Sequence, residues 1–414
     1  MKKKSRTWCW IALLFAGVII AYFIIVRPFW KPSILPHTRI SQLTGNDAVT
    51  DSTSYDVKGT DLGIVVKYGT EFRYIFGDTF GGDWGNGNSD THWRSNVMAN
   101  STDTNAEDGI YINGWIDNGV TEFARELIGS QKVDNLEMTC IPTTAVTDGT
   151  NFYIYYMSVK HWGTAGKWEC NNASIASSSN GANFTKVPSV KWEGGSNQVM
   201  FGVVQNTTGG GLAVNDLYFL TTPAGRSGSA YCVKVVKSQI LNQAAYQCFT
   251  NNASDGTPVW GSDPSLARAV IPGPVGELSA MWNPYLQKFI VMYTESHWNM
   301  IVIRIADHPW GPWSNPVGIV DSQEYPGRYG SFLHPDLVEN NGRSVYFIMS
   351  IWSSYNTFVM KVDLSSLMSI SQANSGDILL LPACLLVIGA FPRSHRLFFT
   401  QAHTARLKKA HSSL

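Results

Sequence analysis

From about residue 45 to about residue 370 the chain is a succession of short apolar runs rich in Val, Ile, Tyr and Phe. Each run is bounded by Gly, Asn, Asp or Pro, the pattern of strands separated by turns. The clearest are Gly63–Phe80, Phe152–Ser158, Val199–Val204, Asp216–Thr222, Ala230–Val236, Phe289–Thr294, Asn299–Ile305, Ser344–Ser350 and Thr357–Val362. Only "VTEFARELIG", Val120 to Gly129, reads as a short helix. The runs gather into five clusters that begin near Leu62, Ile141, Val199, Leu278 and Phe332. Small strand groups repeated at this spacing point to radial packing of sheets. The expected fold is all-β, a five-bladed β-propeller over residues 45–370.

One turn agrees with that expectation. "SSSNGANF", Ser177 to Phe184, is a degenerate form of the Ser-x-Asp-x-Gly-x-x-Trp turn of sialidase-like propeller blades, with Ser179 at the Asp position. A single β-sandwich fits less well, because the β-rich region is long for one.

Ahead of this region the chain reads MKKKSR and then "TWCWIALLFAGVIIAYFIIV". Residues 8–26 are uncharged and apolar throughout, long enough to span a bilayer. No small-x-small cleavage site follows, and the basic residues lie mostly before the span. The expectation is a basic cytoplasmic segment (1–7), a transmembrane signal anchor (8–26), a stalk (27–44) and an extracytoplasmic ectodomain in type II orientation. If the segment is cleaved instead, the protein is secreted. A C-terminal extension, 371–414, combines the apolar "ILLLPACLLVIGAF" with a basic stretch, and is too short and too broken by Pro382 for a clear second span.

Four cysteines lie in the body: Cys140, Cys170, Cys232 and Cys248. They lack the spacing of a zinc site, and outside the cytoplasm they are expected as disulfides, with sequence proximity favouring Cys140–Cys170 and Cys232–Cys248. Asn-x-Ser/Thr sequons at Asn100, Asn172, Asn183, Asn206 and Asn252 are glycosylation candidates, although several would arise by chance in so Asn- and Ser-rich a chain.

The chemistry concentrates in "GTDLGIVVKYGTEFRYIFGDTFGG", Gly59 to Gly82. Two apolar runs flank Gly69-Thr70, a two-residue hairpin loop. In that register Tyr68 faces Glu71, and Asp61 faces Asp78. Each aspartate alone reads as a turn residue. Facing each other, two carboxylates repel, which raises one pKa while the other group stays ionised. A glycosidase needs that division between a proton donor and a carboxylate.

Several blocks together resemble one extracellular family, that of domain of unknown function 4185. They are "GTDLG…FGDTFGG…WRSNVMA" (Gly59–Ala99), "GELSAMWNPYLQKFIVMY" (Gly276–Tyr293), "IRIADHPWGPWSNP" (Ile303–Pro316), "YGSFLHP" (Tyr329–Pro335) and "YFIMSIWSSYNTFVMKVDL" (Tyr346–Leu364). Some members of that family are classed as glycoside hydrolase family 183, five-bladed endo-D-arabinanases that cut furanoside arabinan with two aspartates. The resemblance implies Asp61 and Asp78 as the catalytic pair, an inverting mechanism, and a polysaccharide substrate. The same blocks make Trp93, Arg94, Asn96, Glu277, Trp282, Asn283, Tyr329 and His334 candidates for lining the cleft.

Other classes are disfavoured. No metal-ligand spacing, Gly-rich strand-to-helix loop or Gly-x-Ser-x-Gly occurs, so no metal or other cofactor is expected. Lys+Arg 31 balances Asp+Glu 31, which leaves no electrostatic footprint for nucleic acid. A non-catalytic carbohydrate-binding propeller and a surface adhesion protein remain as rival readings, and the oligomeric state is open.

Overall fold

The structure, a computed structural model, describes residues 31–86, 91–117, 119 and 122–371. The expected basic segment 1–7, signal anchor 8–26 and nearly all of the extension 371–414 lie outside the described residues. Among the described residues, no helix is long and apolar enough to cross a membrane.

Strand β1 (His37–Gln42) comes first, inside the segment expected to be a stalk. Four groups of strands follow in chain order, and a fifth completes the fold. The first is β2 (Gly59–Tyr68), β3 (Glu71–Phe80), β4 (Val97–Ser101) and β5 (Gly114–Trp115). The second is β6 (Thr139–Thr147), β7 (Phe152–Trp162), β8 (Trp168–Ser178) and β9 (Thr185–Glu193). The third is β10 (Met200–Gln205), β11 (Asp216–Thr222), β12 (Ala230–Val236), β13 (Gln247–Asn252), β14 (Pro258–Gly261) and β15 (Ala269–Ile271). The fourth is β16 (Leu278–Asn283), β17 (Lys288–Glu295), β18 (Met300–Ala306) and β19 (Val317–Asp321). The fifth is β20 (Arg328–Glu339), β21 (Ser344–Ile351) and β22 (Asn356–Asp363), and β1 adds to its edge by pairing with β22.

Neighbouring strands within a group are antiparallel. The first strands lie against one another in the order β2, β6, β10, β16, β20, and β20 returns to β2. Between β10 and β16 this contact is a short parallel pairing, Val204 with Ala280 and Gln205 with Met281, which fuses the third and fourth groups into one sheet. The architecture is all-β and propeller-like. Pairing of β1 with the last group joins the two ends of the β-rich region. Where a free stalk was expected, Leu35 is buried and Leu35 N donates to Gly318 O at 2.9 Å.

Apolar side chains fill the spaces between successive sheets. Tyr155, Trp192, Phe201, Phe219 and Tyr246 pack together between the second and third groups, with the Tyr155 and Tyr246 hydroxyls 2.7 Å apart. A buried aromatic pair contributes roughly 0.5–1.5 kcal/mol beyond its area. The "SSSNGANF" turn joins β8 to β9, and Asn180 Oδ1 accepts from the amides of Ala182 and Asn183. The stretch expected as a helix is irregular over 122–129. Its backbone serves its neighbours instead: Arg125 N donates to Ile116 O, and Ala124 N to Tyr55 O.

The expected disulfides are absent; all four body cysteines are free. Cys140 lies on β6 and Cys170 on β8, with β7 between them. Two strand spacings, about 9–10 Å, exceed the reach of a disulfide. Cys232 precedes Val233 on β12, and Val233 faces Cys248 across the ladder, so the two sulfurs point to opposite faces of the sheet. Accordingly they belong to different cores.

The hairpin forms around Gly69-Thr70, with Gly69 at φ 63° and Tyr68 opposite Glu71. The expected register holds from there to Ile64 opposite Ile75, then breaks. Gly63 is extra on β2, Leu62 pairs with Phe76, and the register returns at Thr60 opposite Thr79. Leu62 and Gly63 both have positive φ, 70° and 91°. Asp61 therefore has no ladder partner, and the directly opposed pair is corrected to two aspartates on a doubly bulged segment. Bulges re-aim side chains in this way. Leu62 in the left-handed region costs about 1–3 kcal/mol, strain of the kind held at functional sites.

Candidate active site

All five first strands start at one end of the assembly, and the second strands return to it. Asp61 is the third residue of β2, Asp78 lies near the end of β3, Thr139 opens β6 and Tyr329 is second in β20. Glu277 immediately precedes β16. The connections β3–β4, β11–β12 and β21–β22 bring Trp93, Arg226 and Tyr355 to the same end.

Asp61 is partly enclosed as a residue, but its Oδ1 is shielded from solvent and has no hydrogen-bond partner. That oxygen lies over Gly77, where any Cβ would collide with it. Its Oδ2 accepts from the Tyr329 hydroxyl at 2.9 Å. Burial, then the charge of Asp78, push the Asp61 carboxyl up to about 8, while the Tyr329 hydrogen bond opposes the rise. Glu277 raises it further and Arg226 lowers it. Tyr329 and Tyr355 are themselves raised well above the ordinary phenol value, by burial first and then by Asp61. Both stay protonated donors in the working range.

Asp78 is buried, and both of its hydrogen bonds fall on Oδ1: from Trp93 Nε1 at 2.8 Å and from Thr139 Oγ1 at 2.6 Å. Burial raises it to about 6, opposed by these two donors and by the charge of Lys132. The ammonium of Lys132 lies 5.1 Å from the Trp93 ring centre. Two carboxyls share one end of the fold, and at neutral pH one keeps its proton while the other is ionised. Among the described residues, no group of three or more His, Cys, Asp or Glu could hold a metal ion.

The other cleft candidates divide. Tyr329 and Trp93 each hold one aspartate, so Trp93 orients Asp78 through its indole N–H where ring stacking on a sugar was expected. Glu277 is gripped by Arg226, with Nε 2.9 Å from Oε1 and Nη2 2.6 Å from Oε1. Arg94 is buried, donates to Ala124 O and Asp56 O, and lies over Phe123. Asn96 is fully buried and bonded to the backbone of Leu127, Ile128 and Cys140. At the far ends of their strands, Asn283 caps a turn and Trp282 packs on Gly209, Gly210 and Phe289. His334 is buried against Tyr74 and accepts from Leu337 N; burial lowers it to about 3, so it is neutral. These five serve the fold. Of the sequons, Asn183, Asn206 and Asn252 are exposed, while Asn100 and Asn172 are half-buried in β4 and β8.

Sequence reasoning missed Thr139, Arg226 and Tyr355. Tyr355 stood inside a matched block, and Arg226 in "AGRSGSA" is a lone charge in a Gly/Ser turn. Thr139 carried no signal, since only the third dimension brings it to Asp78.

No curated protein matches the chain. Among solved structures, it is similar to a "putative hydrolase" from Bacteroides ovatus ATCC 8483, at TM-score 0.54 and 11% identity, covering 76% of this chain and 88% of that one. That likeness concerns the fold alone. A glycosyl hydrolase from Bacteroides ovatus (TM-score 0.44, 12% identity, 81% and 95% covered) and the Bacillus subtilis arabinanase Arb43A (0.40, 11%, 74% and 97%) superpose more loosely. The family model for the domain of unknown function DUF4185 matches residues 47–361, so the chain belongs to that family.

Proposed function

We propose that this protein is a glycoside hydrolase, built as a five-bladed propeller, that cuts an extracytoplasmic furanose polysaccharide of the arabinan type. The observation that carries the reading is the split between two neighbouring aspartates, Asp61 raised to about 8 and Asp78 to about 6. Between those values one is an acid and the other a carboxylate, the pair that glycosidic cleavage requires. The polymer class rests on the family resemblance. Residues 8–26, if they form the expected anchor, hold the domain outside the cytoplasm.

Asp61 gives its proton to the departing glycosidic oxygen as the bond from the anomeric carbon to that oxygen breaks. Water attacks the anomeric carbon and its proton passes to Asp78, whose Oδ2 is left to accept it because Trp93 and Thr139 occupy Oδ1. Product release leaves Asp61 ionised and Asp78 protonated, and exchange with solvent restores both. Direct attack by water inverts the anomeric centre. Tyr329 and Tyr355 stand beside Asp61 and hold its orientation as its charge changes.

The test is reducing-sugar release by the full chain from mycobacterial arabinogalactan and from a panel of other glycans. Release that Asp61→Asn and Asp78→Asn both abolish, with folding unchanged, is the expected result. Binding without release, unaltered in either variant, sinks the enzyme reading and leaves a lectin.

A further inference from the structure

Two tryptophans at the same end of the fold are exposed where apolar side chains are normally covered: Trp352, 66% exposed, and Trp162, 37%. They are joined by a continuous row of ring and guanidinium contacts. Trp162 meets Trp168 edge-on at 5.6 Å, Arg226 lies 5.5 Å from the Trp168 ring and 5.1 Å from the Tyr329 ring, and Tyr329 meets Trp352 at 6.4 Å. Tyr329 is the residue that donates to Asp61. The row thus crosses the candidate site, with one exposed indole against Tyr329 and Tyr355 next to Asp61 and the other farther out, at the end of β7 in a different sheet.

The segments carrying these residues are braced. Trp352 N donates to Gly327 O, and Thr60 N donates to Tyr355 O at 2.7 Å, which ties the Trp352 loop to the strand that bears Asp61. On the other side Arg226 N donates to Gly166 O at 2.9 Å, which ties the β11–β12 connection to the hairpin that carries Trp162 and Trp168. Rigid, amphipathic rings give large contact area at small entropic cost. The cation inside the row, Arg226, is already met by both oxygens of Glu277, so its guanidinium is not left unpaired for a uronate or phosphate.

We infer that this row is an extended binding track for an uncharged, linear glycan, with Trp352 as a near platform and Trp162 as a distal one for sugar rings. It rests on the glycosidase reading and adds where the chain lies. A near platform touches every substrate that reaches Asp61, whereas a distal one is reached only by longer chains.

The test uses binding by the full chain carrying Asp61→Asn, which prevents turnover, with calorimetry against a short and a long linear arabino-oligosaccharide. Trp352→Ala is expected to weaken both about tenfold, and Trp162→Ala to weaken only the long one by a similar factor, with Trp352→Phe recovering most of the loss. Melting temperatures are expected to stay unchanged, since both indoles are solvent-facing. If the oligosaccharides bind and neither alanine variant changes affinity, the track is overturned while the glycosidase reading stands. If the Asp61→Asn protein binds neither oligosaccharide and the native chain releases no sugar from any glycan, both fall together.

Discussion

The Tyr329 hydroxyl donates to Asp61 Oδ2 at 2.9 Å, joining the start of the last first strand to the start of the earliest one. That bond favours ionised Asp61 and so opposes the burial that raises its pKa. Removing it with Tyr329→Phe lets the pKa climb further. Asp61 then keeps its proton to higher pH, and the alkaline fall of activity moves above that of the native protein. A fall in kcat of about tenfold is expected alongside, from lost orientation. A pH–rate profile of the variant checks both.

The native profile is expected to be a bell. Activity rises as Asp78 ionises near 6 and falls as Asp61 loses its proton near 8. The two limbs belong to the coupled pair. An optimum below pH 5, or a profile with no alkaline fall, contradicts the assignment of Asp61 as the acid.

Asp61 also makes stability depend on pH in a direction opposite to the usual salt-bridged carboxylate. Its folded pKa lies above the ordinary 3.8, so between about 4 and about 8 the folded state holds a proton that the unfolded chain releases. The stabilising effect of that proton is fully present below about 4 and lost as pH rises through about 8. Asp61→Asn abolishes the dependence. Because Asp61 keeps partial solvent access, the gain is about 1–2 kcal/mol rather than the full shift. It should be measurable as a higher melting temperature at pH 9 and nearly nil at pH 4.

Gly77 holds the carboxyl of Asp61 where it is. A methyl group at that position collides with Asp61 Oδ1 and crowds Leu62 Cδ1 at 3.1 Å. Gly77→Ala is expected to lower kcat/KM by about a hundredfold, since a displacement near 1 Å is enough for such a loss. Circular dichroism should stay native in shape. A fully active variant would mean that the position of Asp61 is unimportant.

The four body thiols are free and set apart by strand geometry. Burial pushes the Cys140 and Cys170 thiols up to about 12, so neither is a reactive thiolate. Treatment of the full chain with dithiothreitol should leave its melting temperature unchanged. A drop of several degrees would show that staples form after all.

Much of the architecture was legible from residues alone because it depends on local pattern. Alternating apolar runs marked β11 and β12 at their observed bounds, and the five cluster starts fall at or near the starts of β2, β6, β10, β16 and β20. Gly69-Thr70 set the hairpin and placed both aspartates at its mouth. What local pattern could not reveal was decided by pairing over long distances. The bulges at Leu62–Gly63 and opposite Asp61 depend on contacts such as Leu62 N to Ser350 Oγ and Gly63 against Ile348, nearly 300 residues away in the chain. The same holds for the partners that set the two pKa values: Thr139 and Trp93 for Asp78, Tyr329 for Asp61. It holds too for the cysteines, since proximity in sequence says nothing of which face of a sheet a sulfur occupies. The sequence by itself marked many of the strands, their grouping and the two aspartates at the mouth of the first hairpin. Burial and the neighbours supplied by other sheets, which exist only in the folded chain, set how far each carboxyl is raised above its ordinary value.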